Sequence, residues 1–222
     1  MLLLATDTSG KDGSIALATC EPQGVCEILE VVPLTGGTFS AQLIPQIAAL
    51  LGKHRFTKSD IGAFIVASGP GSFTGLRVGL AAIKALAEAL GKPIAAVSLL
   101  EATAAAANEE GTVLAALDAG RGQTYIGEYE GKSPAGLGES LVGQQEFLDT
   151  VAGRLVVTPD SSIAEMARAA GLKVLHIEKL QSDVIARVGW RKIQAGETIS
   201  PEDLDANYIR RSDAEIFAKS GS

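Results

Sequence analysis

Apolar residues in the first half of the chain form short runs separated by turn-forming residues. The runs predict strands at 2–6, 14–19 and 25–32, a helix at 39–51, a strand at 61–67, a helix at 78–90, a strand at 94–97 and a helix at 99–107. Glycine-rich turns at 10–13 and 21–24 separate the first three strands, which indicates an antiparallel meander. The element order of this half is therefore βββαβαβα.

The second half repeats this order. It predicts strands at 113–118 and 123–129, a helix at 146–151, a strand at 155–158, a helix at 161–170, a strand at 173–176 and a helix at 182–195. The first strand of each half ends in aspartate, Asp7 and Asp118. Such a duplication indicates an α/β protein of actin-like ATPase (ASKHA, RNase H-like) fold, with two similar subdomains facing each other across a nucleotide cleft. Alternating strands and helices alone also allow an unrelated doubly wound sheet.

The duplication predicts three segments. They are an N-terminal subdomain at 1–108, a C-terminal subdomain at 109–205, and a C-terminal segment at 206–222 whose polar end, from 213 to 222, is expected to be frayed.

Composition narrows the range of functions. With 46% hydrophobic residues and a mean hydropathy of +0.23, the 222 residues are able to bury a large core. The net charge of −7 makes direct RNA or DNA binding a poor expectation, because phosphate neutralisation needs clustered lysine and arginine. Cys20 and Cys26 are expected to be reduced thiols; a disulfide across a hairpin is the alternative. No segment has the length or charge pattern of a signal peptide or membrane span, so we expect a cytoplasmic protein.

The most informative stretch is the glycine-rich sequence at 68–79, SGPGSFTGLRVG, which joins a predicted strand to a predicted helix. Backbone N–H groups at such a junction can bind a phosphate. The stretch lacks the Lys-Ser/Thr of a P-loop and misses the dinucleotide pattern by one residue. Glycines that only allow close helix packing are an equal alternative. The candidate nucleotide or phosphate site comprises Asp7, Thr8, Ser9, Gly69, Gly71, Ser72 and Gly75.

The two aspartates at the strand ends are candidates to hold Mg²⁺ through water. The alternative is that each carboxylate caps a turn. For Asp7 the two interpretations stay open; for Asp118, the turn cap is favoured.

The predicted helices at 39–51 and 78–90 carry more apolar surface than one core needs. Either both are sandwiched between other elements, or they form a face for association with a second chain. The candidate interface residues are Phe39, Leu43, Ile44, Ile47, Leu51, Arg77, Leu80, Ala81, Ala85 and Ala89.

Several segments together resemble the TsaB (YeaZ) family over nearly the whole chain. They are LATDTS at 4–9, SIAL at 14–17, GPGSFTGLRVG at 69–79, GKP at 91–93, DAGR at 118–121 followed by Tyr125, and YIR at 208–210. The resemblance implies a non-catalytic accessory subunit for formation of N6-threonylcarbamoyladenosine at adenosine 37 of tRNA. It further implies a TsaD-like catalytic partner, a TsaE-like ATPase, tRNA contact only through the complex, and a homodimer when alone. By the same resemblance, the C-terminal segment at 206–222 is expected to pack back on the first subdomain through residues 207–210.

The residues themselves argue against independent catalysis. TsaD-like relatives carry two histidines one helical turn apart, which can share a metal. Leu99 and Thr103 occupy the matching positions, and the glycine pair that takes adenosine in actin-like kinases is missing near 157–161. We therefore expect no resident metal and no cofactor other than a nucleotide, ADP or ATP with Mg²⁺, at an interface with partners. The alternative is an independent actin-like ATPase, small-molecule kinase or metal-dependent hydrolase.

Overall fold

The computed structural model describes residues 1–22, 25–130 and 136–210. The first half contains β1 (Leu2–Asp7), β2 (Gly13–Cys20), β3 (Cys26–Leu34), α1 (Phe39–Lys53), β4 (Ile61–Gly69), α2 (Phe73–Leu90), β5 (Ile94–Ser98) and α3 (Leu99–Ala107). The second half contains β6 (Thr112–Gly120), β7 (Gln123–Glu130), β8 (Gly136–Gly143), α4 (Gln144–Thr150), β9 (Leu155–Thr158), α5 (Ser161–Ala169), β10 (Lys173–His176) and α6 (Ser182–Gln194).

The two halves build sheets of the same topology. The first sheet has the order β3-β2-β1-β4-β5 and the second β8-β7-β6-β9-β10. In each, the first three strands pair antiparallel and the remaining pairs are parallel. This repetition confirms the predicted internal duplication and the actin-like α/β architecture. The sequence pattern missed β8, because glycines at both of its ends and in its middle hide the strand signal.

The elements stack in five layers. Helices α1 and α2 cover the outer face of the first sheet, while α4 and α5 cover the outer face of the second. Between the sheets lie α3 and α6, joined by a buried ion pair in which Lys192 Nζ is 3.2 Å from a Glu101 carboxylate oxygen. Helix α6 packs against the first sheet, although the predicted boundaries place it in the second subdomain.

Helix α2 begins at Phe73, five residues before the predicted start. Ser72 caps it, since its hydroxyl oxygen accepts a hydrogen bond from the Gly75 N–H group. Half of the presumed glycine loop is therefore helix. The glycines of this stretch led to a predicted start at residue 78, because glycine normally disfavours helix interiors. Tertiary packing overrides that preference here.

The expectation of reduced thiols is wrong for the structure: Cys20 and Cys26 form a disulfide. The β2–β3 register places the two residues directly opposite each other next to the hairpin connection, so their side chains meet.

The predicted frayed tail at 213–222 lies outside the described residues. Within the described ranges, no helix combines the length and apolar character needed to cross a membrane.

Candidate functional site

A cleft between the two halves contains two adjoining cavities of about 630 and 510 Å³. Both cavities are lined by Ser9 and Gly71 from the first half and by Asp118 and Tyr125 from the second. The ends of β1 and β6 meet here because the duplicated sheets present equivalent edges to each other. The cleft is therefore where the fold brings the two strand-end aspartates together.

The end of β1 is held by its own side chains. The Asp7 carboxylate accepts hydrogen bonds from the Ser9 N–H group, at 2.8 Å, and from the Ser9 hydroxyl group. Asp7 is only 7% exposed, and burial raises its pKa above the usual aspartate range although the bonds from Ser9 oppose the shift. Asp7 thus caps its turn, as one interpretation predicted, and also lines the inner, 510 Å³ cavity.

The glycines of the 68–79 stretch let α2 approach the backbone at the end of β1. A Cβ atom would lie 2.5 Å from the Ser9 carbonyl oxygen if placed on Gly71, and 2.1 Å from the Thr8 carbonyl oxygen if placed on Gly75. The Ser72 N–H group donates to the Ser9 carbonyl oxygen at 2.6 Å, and the Thr8 hydroxyl donates to the Gly75 carbonyl oxygen at 2.8 Å. Close packing therefore requires these glycines, and the Ser72 amide is already engaged.

Gly69 and Pro70 begin this junction at the end of β4. Gly69 has a φ of +116°, a conformation that favours glycine. A Cβ atom there would lie 3.1 Å from the Asn207 carbonyl oxygen, so the C-terminal segment packs directly against it. Of the seven predicted nucleotide-site residues, Asp7, Ser9, Gly71 and Ser72 line the two cleft cavities, whereas Thr8, Gly69 and Gly75 do not.

The second half contributes further carboxylates. Asp118 accepts a hydrogen bond from the Gly120 N–H group at 2.8 Å, and its own N–H group donates to the Asp160 carboxylate at 2.7 Å. Burial raises the pKa of Asp160, although the bond from Asp118 opposes the shift. Across the cleft, Lys179 Nζ lies 3.1 Å from the Asp12 carboxylate.

The ionisable side chains that line the inner cavity are therefore those of four aspartates and Lys179, besides Tyr125. Sequence reasoning missed Asp160 and Lys179, because neither stands in a motif and only the fold brings them to the cleft. No group of three or more His, Cys, Asp or Glu residues in the described parts of the chain is arranged to hold a metal ion.

The outer, 630 Å³ cavity is aromatic and basic. Phe73 and Tyr208 line one wall, and Arg77, which is not itself part of the lining, holds both: its guanidinium lies 3.6 Å from the Phe73 ring centroid and its Nε donates to the Tyr208 hydroxyl at 3.2 Å. On the opposite wall, the Arg210 guanidinium lies 5.9 Å from the Tyr125 ring centroid. The segments at 69–79, 118–125 and 208–210 that carry the family resemblance include all five of these residues, but sequence alone did not place them together.

The candidate interface residues divide by exposure. The larger apolar ones are buried in the first half's own core, whereas the exposed ones form a stripe on the outer layer. Buried are Phe39, Leu43, Ile47, Leu51 and Leu80; exposed are Ile44, Arg77, Ala81, Ala85 and Ala89. We call the second set the outer face. Both sequence interpretations thus describe part of these helices: the buried set belongs to the chain's own core, and the outer face is exposed.

Positions Leu99 and Thr103 lie one turn apart on α3. The Thr103 hydroxyl donates to the Leu99 carbonyl oxygen at 2.7 Å and is fully buried, while Leu99 lines the inner cavity. The helix thus presents an apolar side chain to the cleft at this point.

Comparisons with known proteins identify relatives. A family model described as "TsaD: tRNA N6-adenosine threonylcarbamoyltransferase" matches residues 31–188. A Bacillus subtilis protein named tRNA threonylcarbamoyladenosine biosynthesis protein TsaB is 36% identical over 149 residues, or 67% of this chain and 62% of its own length. A protein of the same name from Escherichia coli is 33% identical over 133 residues, covering 59% of this chain and 55% of its own length. The chain thus spans less than two thirds of these relatives.

Solved structures agree on the fold. One described as "YeaZ from Pseudomonas aeruginosa" is 23% identical, with a TM-score of 0.73 over 93% of this chain and 100% of its own. Another, described as an uncharacterized protein with similarity to peptidase YEAZ, is 25% identical, with a TM-score of 0.74 over 94% of this chain and 99% of its own.

Proposed function

Because the chain belongs to the TsaB (YeaZ) family of TsaD-like proteins, we propose that it is an accessory subunit for formation of N6-threonylcarbamoyladenosine at adenosine 37 of tRNA. In this role it binds and activates a TsaD-like catalytic subunit together with a TsaE-like ATPase. The chain itself performs no chemical step, and tRNA reaches it only through the complex, consistent with its net charge of −7.

The observation that carries the non-catalytic assignment is the composition of α3. Metal-dependent relatives need two imidazoles on one helix face, and Leu99 and Thr103 stand at these positions. Leucine offers no donor atom, and the Thr103 hydroxyl is committed to the backbone of its own helix. Independent metal-dependent transfer or hydrolysis would therefore lack its metal site.

The outer face of α1 and α2 is the proposed contact with partners. Ala81, Ala85 and Ala89 recur every four residues along α2 and are exposed, so a second helix can approach this ridge closely. Ile44 of α1 is 47% exposed and adds apolar area beside them. A second copy occupies this face in the isolated protein, and the TsaD-like subunit replaces it in the complex.

A nucleotide, ADP or ATP with Mg²⁺, is proposed to bind near the cleft when partners are present. Asp7 supports this placement, because a buried carboxylate with one oxygen left for the cavity is suited to hold a hydrated cation. The partner completes the site, since Ser72 already uses its amide within the chain.

Size-exclusion chromatography with light scattering of the chain mixed with its cognate TsaD-like protein tests the proposal. We expect a homodimer alone and a one-to-one heterodimer in the mixture. Ala85→Glu places a charge on the outer face and is expected to abolish both assemblies. Ala169→Glu, at an exposed alanine that ends α5 of the second half, is the matched control and should leave both intact.

Failure to form any complex, even with nucleotide and the TsaE-like protein added, would contradict the accessory role. Nucleotide hydrolysis or phosphoryl transfer by the purified chain alone would favour the independent enzyme instead.

A further inference from the structure

The segment Asn207–Arg210 contacts both halves of the chain. At one end, the Asn207 N–H group donates to the Ser68 carbonyl oxygen of β4 at 2.7 Å. At the other, Arg210 donates to the Gln123 side-chain carbonyl of β7 at 2.7 Å. Four consecutive residues therefore bridge from the first sheet to the second.

Between these ends, the Tyr208 ring packs on the first half. Its centroid lies 5.0 Å from that of Phe73, and its hydroxyl accepts the hydrogen bond from Arg77. The segment is thereby held by α2 as well as by β4. All four residues of the segment line the outer cavity, so the segment is also one wall of the cleft.

Glu139 of β8 is the common partner at this junction. Its carboxylate accepts hydrogen bonds from the Ser98 hydroxyl of the first half, from the Tyr129 hydroxyl of the second half and from the Asn207 side-chain amide. Burial and the neighbouring Glu139 charge both raise the pKa of Tyr129, so its hydroxyl stays a donor. One carboxylate thus joins both halves and the C-terminal segment.

We propose that residues 207–210 form a strap, anchored by Glu139, that holds the two halves at a closed angle across the cleft. Opening the cleft separates the edge of the first sheet from β8, which breaks the Ser98–Glu139 and Asn207–Glu139 bonds together. The strap then loses either its contact with β4 or its contact with β7, because a segment of four residues is too short to stay bound to both sheets as they separate. A further contact across the cleft mouth, between Asp12 and Lys179, joins two exposed side chains and resists opening only weakly.

The strap is independent of the proposed function, because it concerns only contacts within the chain. It links the width of the cleft to the C-terminal segment: whatever displaces the segment opens the outer cavity. Glu139 is a positioning residue in this device, since it acts through the halves that it joins.

Distance measurement by double electron–electron resonance tests the strap in the full chain. Because Cys20 and Cys26 are joined to each other, labels attached to new cysteines at Lys58→Cys in the first half and Glu165→Cys in the second report the opening alone. We expect one narrow distance distribution in the labelled parent. Glu139→Ala should broaden it and extend it to longer distances, and hydrogen exchange at the Asn207 amide should become at least ~10-fold faster.

Glu128→Ala is the matched control, because Glu128 lies on β7 and pairs with Arg154 within the second half. It should change neither readout. Asn207→Ala removes one strap bond and leaves the Ser98 and Tyr129 bonds to Glu139, so it decides the question if Glu139→Ala does not fold. An unchanged distance distribution and unchanged exchange in a folded variant would overturn the strap.

Discussion

Replacing Gly75 by alanine tests whether the glycines of the 68–79 stretch serve packing. The added Cβ atom would lie 2.1 Å from the Thr8 carbonyl oxygen, whereas real Cβ contacts stay beyond 3.0 Å, so the start of α2 must retreat by about 1 Å. That movement strains the 2.6 Å bond from the Ser72 N–H group to the Ser9 carbonyl oxygen. A main-chain oxygen cannot rotate out of the way as a flexible side chain can.

The magnitude follows from opposing effects. Overpacking costs typically ~1–3 kcal/mol, and a weakened hydrogen bond adds about 1 kcal/mol. Replacing glycine inside a helix returns roughly 0.5–1 kcal/mol. The free energy of unfolding should therefore fall by about 1–3.5 kcal/mol, equivalent to a Tm lower by roughly 2–14 °C for a chain of this size.

Gly52→Ala is the control, since Gly52 lies in α1 and no atom is within 4 Å of an added Cβ. This variant should melt at the same temperature as the parent or slightly higher. Thermal unfolding followed by circular dichroism compares the two. If Gly75→Ala were as stable as Gly52→Ala, the packing explanation of the glycines would be wrong.

Three other predictions concern stability. Burial raises the pKa of Asp7, so the folded state favours its protonated form, and the free energy of unfolding falls as the pH rises above 3.8. Asp7→Asn should therefore be at least as stable as the parent protein at pH 7 and show no gain at pH 3, as measured by urea titrations. A large loss of stability at pH 7 would contradict this. Reducing the Cys20–Cys26 disulfide should lower the free energy of unfolding by about 2 kcal/mol, because the loop that it closes is short; calorimetry with and without reductant measures this, and an unchanged Tm would refute it. Ile47→Asp should lower the free energy of unfolding by more than ~3 kcal/mol, because Ile47 is 4% exposed and the new carboxylate would be buried without a partner. Ala85→Glu on the outer face, by contrast, should leave the unfolding of the monomer by urea nearly unchanged.

Much of the fold follows from local patterns. The apolar runs predicted nine of the ten strands and all six α-helices of the described residues, because buried strands and amphipathic helices have distinct periodicities. Strand β8 was not predicted because its glycines break the alternating pattern. The start of α2 was not predicted because Gly75 and Gly79 disfavour a helix on their own, and their close contact with Thr8 is what requires glycine there. The pairing register of β2 with β3, which the sequence of one strand does not determine, places Cys20 opposite Cys26.

The candidate site shows the same division. The sequence by itself determined the duplicated order of elements, the aspartate at the end of each first strand and the absence of an imidazole at Leu99 and Thr103, because these depend on residue type and spacing along the chain. Only the tertiary structure decided that Ile47 is core while Ala85 is surface, that Asp160 and Lys179 face the cleft, and that Glu139 joins Ser98 to Asn207. These last relations join residues 41 and 68 positions apart in the chain, and such contacts are set by how the two sheets and the central helices pack rather than by any local preference.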